Sequence, residues 1–85
     1  MVKDEPPSPL ERVERLYLDL VAHYEGGERR ETRAATKLLL VALARLREHE
    51  GEGWERLVDE YVEIARERPE ELARILDGNR RRRSM

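Results

Sequence analysis

Apolar residues recur at helical spacing from Leu10 to Leu76, in stretches separated by glycine or proline. The others are organised around Ala34–Leu46, AATKLLLVALARL. At 100° per residue, Ala35, Leu38, Leu39, Ala42, Leu43 and Leu46 share one wide face, and Val41 extends it. An apolar arc that wide belongs to a helix covered by more than one neighbour. The pattern therefore predicts the central helix of a small bundle, with Leu39 and Leu46 near the middle of its core face.

The flanking stretches are punctuated by recognisable stops and starts. Residues 1–7 show no period and predict a disordered N-terminal arm. Ser8-Pro9-Leu10-Glu11 then reads as a helix start, with Ser8 as N-cap, Pro9 at the first position and Glu11 closing a capping box. Leu10, Val13, Leu16, Tyr17, Leu20, Val21 and Tyr24 fall on one face of a helix over about 9–25, which Gly26-Gly27 ends. The second helix is expected over 28–50, up to Gly51 and Gly53. A third, over 53–67, lines up Trp54, Leu57, Val58, Tyr61, Val62, Ile64 and Ala65. Pro69 cannot continue its hydrogen-bond ladder and opens a short fourth helix over 69–77, with Leu72, Ile75 and Leu76 inward. Asp77-Gly78 is expected to close that helix and leave 79–85 as a basic disordered tail.

No alternating β-branched run interrupts this order. The expected fold is all-α: a small antiparallel helical bundle, 8–78, of three main helices plus a short C-terminal fourth. Eighty-five residues make one domain, and a chain this short buries only about 60–65 % of its unfolded surface. Such a fold needs idealised packing or a second chain.

Composition narrows the setting. The chain has no cysteine, so a disulfide framework is excluded. Its start, MVKDEPPSP, lacks the basic and apolar regions of a signal peptide. The uncharged run at the apolar centre, Leu38–Ala44, is far shorter than the roughly 20 residues that span a bilayer. A soluble, cytoplasmic protein away from membranes is expected. Arginine outnumbers lysine 15 to 2 and glutamine is absent. That balance suits a thermostable protein held by ion-pair networks; it equally suits a GC-rich genome or an engineered helical bundle without evolved function.

Charge is unevenly distributed. Residues 79–85 hold four arginines and no acid, helices 3 and 4 (52–77) carry net −5, and helix 2 (28–50) carries net +2. Arg80, Arg81, Arg82 and Arg83, with a stripe of Arg29, Arg30, Arg33 and Lys37 on helix 2, form a candidate nucleic-acid-binding surface through phosphate neutralisation. A helix-turn-helix is not indicated, because helix 2 is too long and apolar, and helix 3 too acidic, for a recognition helix.

Little else points to chemistry. His23 and His49 stand at opposite ends of the bundle, roughly 30 Å apart by helical rise, so one chain cannot join them on a metal. Glu60, Glu63 and Glu67 share a face without an apolar neighbour to raise a pKa. No catalytic, cofactor or metal site is expected, and the chain is read as no enzyme. Trp54, Leu57 and Tyr61 have the spacing that opens a tetratricopeptide repeat, but Val58 replaces its small residue and the chain shows no repeat.

Two leucines break the pattern. Leu18 lies on the polar side of helix 1, and Leu40, with Ala44, lies opposite the core face of helix 2. Apolar positions turned outward on so small a domain point to a protein interface. The functional expectation is a protein-protein interaction module, acting as a homodimer or on another protein. The alternative is a small nucleic-acid-associated regulator.

Overall fold

The computed structural model describes residues 6–81, with side chains described through Arg80. Of these residues, 87 % are helical and none is in a strand. The fold is all-α and bundle-like: α1 (Pro9–His23), α2 (Arg30–Glu50), a 3-10 turn (Gly51–Gly53), α3 (Trp54–Glu67) and α4 (Pro69–Arg81).

Local chemistry explains each boundary. Ser8 caps α1: its hydroxyl accepts from the Glu11 N–H at 3.2 Å, and its own N–H donates to the Glu11 carboxylate at 2.8 Å. This capping box satisfies two backbone donors that a helix start otherwise leaves open, and Ser8 is, with Ala34, buried among the described residues. α1 stops two residues earlier than its periodicity suggests. The Tyr24 N–H still reaches back to Leu20 and Val21, but Gly26 at φ +87° turns the chain away. α2 begins two residues late, at Arg30, because Arg29 adopts the left-handed conformation, φ 56°. Gly51, with φ 68° and ψ −129°, ends α2 in a region of backbone space that belongs essentially to glycine. Pro69 then separates α3 from α4, and the Arg68 carbonyl accepts from Glu71 and Leu72.

α4 corrects the expected C-terminus. The helix does not close at Asp77-Gly78 but runs on to Arg81. Glycine inside a helix costs about 1 kcal/mol relative to alanine, which tertiary contacts readily override. Here two contacts lie beyond Gly78. The Asn79 amide donates back to the Ile75 carbonyl at 2.8 Å, and Arg80 is tied to Glu14 of α1. Residues 1–5 of the expected arm and 82–85 of the expected tail lie outside the described residues.

The packing is a circuit with an uncovered flank. α1 contacts α2 and α4, and α3 contacts α2 and α4, but α1 does not approach α3, nor α2 approach α4. The expected central position of α2 is therefore not realised. On that helix Ala34 is buried, Leu38, Leu43 and Leu46 are half-buried, and Ala35, Leu39, Leu40, Val41 and Ala42 are exposed. Leu39, expected at the centre of the core, is 53 % exposed. The physical reason is that α4, which would complete the cover of α2, sits on α1 and α3 instead. The radius of gyration, 15.0 Å, accordingly exceeds the roughly 12 Å of a compact chain of this length.

Candidate functional site

The uncovered flank is a groove. Its walls are Leu39, Leu43 and Leu46 of α2 and Leu57, Tyr61 and Val62 of α3, with Leu72 of α4 at its margin. The volume is about 450 Å³, and every residue lining it is apolar or aromatic. Sequence periodicity puts these residues together on the inner faces of two amphipathic helices, and the 3-10 turn folds α3 back beside α2. Tyr61 and Val62 of α3 are nevertheless about as exposed as Leu39 opposite them. A surface of this kind can desolvate an apolar partner, at about 25 cal/mol per Å². It offers no nucleophile, base or metal ligand. Among the described residues no group of three His, Asp or Glu is placed to hold a metal ion.

Leu18, Leu40 and Ala44 are all exposed. None of the three lines the groove: Leu40 and Ala44 lie on other sides of α2, and Leu18 belongs to α1. The structure thus shows a larger apolar surface than the two outward leucines indicated. Periodicity had assigned the groove residues to a core, and only their exposure reveals them as surface.

Several of the candidate basic residues are engaged within the chain. The Arg33 guanidinium stacks over the Tyr24 ring, 4.3 Å from its centroid, bridging the α1–α2 turn. A side chain at Gly27 would come within 3.0 Å of the Arg33 Nη1, so glycine there leaves room for the stack. Arg30 pairs loosely with Glu31 at 3.5 Å, Arg29 holds the left-handed N-cap of α2, and Lys37 is exposed. Arg80 forms a fork on Glu14, with Nε donating at 3.0 and 3.1 Å and Nη2 at 2.7 Å. That two-pronged, charge-assisted bond joins the first and last helices across 66 positions of sequence. The Arg80 hydrogen bond holds the Glu14 carboxyl below its usual pKa, against the opposing effect of partial desolvation. The side chain of Arg81, and Arg82 and Arg83 altogether, lie outside the described residues.

His23 meets Tyr24 edge-on, with ring centroids 5.2 Å apart, and His49 stands 3.8 Å from Glu48. No described helix is long and apolar enough to cross a membrane. Comparison of the chain with protein-family models, curated proteins and solved structures finds no match.

Proposed function

We propose that this protein is a non-enzymatic protein-interaction module whose working surface is the α2–α3 groove, and that the groove takes an amphipathic helix. The observation carrying this reading is the apolar lining of a groove whose leucine, valine and tyrosine walls stand open to water. Helix-in-groove recognition buries an apolar stripe at i, i+3, i+4 and i+7 spacing. The acidic residues of α3, among them Glu60 and Glu63, favour an occupant with basic flanks. A cytoplasmic setting goes with this reading, since a chain free of cysteine needs no oxidising compartment.

Nucleic-acid binding is the less supported alternative. Arg33 and Arg80 are engaged in intramolecular contacts, with the Tyr24 ring and the Glu14 carboxylate.

Fluorescence anisotropy tests the proposal. The probe is a labelled synthetic helix of leucines at that spacing and flanking lysines, titrated with the full chain near 1 μM. Saturable binding that weakens at least tenfold in Leu39→Glu and Val62→Glu is expected, equivalent to about 1.4 kcal/mol. Absence of binding, or equal binding by all three proteins, overturns the reading.

A further inference from the structure

The last turn of α4 stands where the sequence places a stop. Asp77-Gly78 carries the signal that ends a helix, a glycine able to take the left-handed position after the last turn. Yet α4 continues to Arg81. Nothing in the helical state calls for that glycine. Gly78 does not have the positive φ of Gly26 and Gly51, and a side-chain carbon on it would meet no atom within 4 Å outside the helix backbone around it. Alanine would fit there and would favour the helix. The glycine therefore only weakens the turn it sits in, while leaving open the conformation in which α4 stops.

What holds the turn lies on another helix. Apolar anchoring of α4 ends at half-buried Leu72, Ile75 and Leu76, and Gly78, Asn79, Arg80 and Arg81 bring no apolar side chain. The bond from the Asn79 amide to the Ile75 carbonyl is exposed and local, and asparagine is a poor helix former. The tertiary bond of the turn is the Arg80 fork on Glu14 of α1, with Glu11 and Asp77 adding longer-range attraction to the same guanidinium. The two side chains of the fork are 40 % and 38 % exposed. Ion pairs that open to water stabilise about as little as a glycine destabilises a helix, so the two effects nearly cancel.

We infer that residues 78–81 form a two-state latch: helical while Arg80 is forked on Glu14, and stopped at Gly78 when the fork is broken. Order and disorder of a short segment, set by one charged contact, is a recurrent switching device. Here one state keeps Arg80 engaged on the first helix. The other frees its guanidinium, next in sequence to Arg81, Arg82 and Arg83.

Backbone Cα chemical shifts of the full chain at neutral pH test the inference, with residues 70–76 as the internal helical reference. Unwinding of one turn is fast, so the shifts of 78–81 report the balance between the two states. Wild type should read as mostly helical there. Glu14→Gln, and separately Arg80→Gln, which keeps a comparable helix propensity, should each lower the ratio of helical to stopped turn about fivefold. Adding Gly78→Ala to either variant should raise it again by about the same factor. Residues 70–76 should stay helical throughout. Shifts at 78–81 that neither fork variant changes, or that Gly78→Ala does not restore, overturn the inference. So does a wild type already stopped at Gly78, or a loss that takes residues 70–76 with it in both fork variants, because either leaves no separate two-state turn.

Discussion

Truncating Leu39 to alanine separates an open groove from a closed core. A fully buried leucine contributes about 1.5–3 kcal/mol through removal of its surface from water. Leu39 is 53 % exposed in the single chain, so about half of that, ~1 kcal/mol, is at stake. No cavity penalty adds to it, since the site already opens to solvent. A leucine at the centre of a closed core would cost about 2–5 kcal/mol. Urea denaturation at about 1 μM should therefore return a loss near 1 kcal/mol. A loss above about 2 kcal/mol would show that α2 is covered within one chain.

Three further perturbations address the scaffold. Ser8→Ala removes the α1 cap and should cost about 1 kcal/mol, seen as a fall in melting temperature of roughly 4–8 °C; an unchanged melt would mean the capping box is not formed in solution. Gly51→Ala forces a side chain into φ 68°, ψ −129° and should destabilise by about 1–3 kcal/mol in denaturant titration, whereas a neutral result would place the α2–α3 turn in another conformation. The Glu14–Arg80 fork makes stability pH-dependent: because the folded-state pKa of Glu14 is lowered, its contribution is full at neutral pH and above. It begins to fall near the unfolded glutamate value, about 4.3, and is lost as the pH drops through the lower folded value. Glu14→Gln should flatten that part of the acid melting profile, and identical wild-type and variant profiles would contradict the pairing.

The helices were legible because their signals are local. Ser8, Pro9 and Glu11 specify a capping box within four residues, Gly26 and Gly51 supply left-handed turns, and Pro69 breaks α3 from α4. Gly78 misled because a glycine stops a helix only when the chain turns there; contacts beyond it kept α4 going to Arg81. The Glu14–Arg80 fork left no sequence signal, since it depends on how α4 lies against α1. The groove was half legible. Periodicity shows which face of α2 and α3 is apolar, but whether another helix covers that face is a tertiary property. Leu39, Tyr61 and Val62 have the spacing of core residues and the exposure of surface ones.

Isotope-filtered NMR on the labelled chain mixed with the unlabelled leucine–lysine helix tests the central claim most directly: that α2 and α3 leave an apolar strip open which takes an amphipathic helix. The account predicts intermolecular contacts from the methyl groups of Leu39, Leu43 and Val62 to the leucines of the added helix. Purely intramolecular contacts from those methyl groups in the presence of excess helix would contradict it.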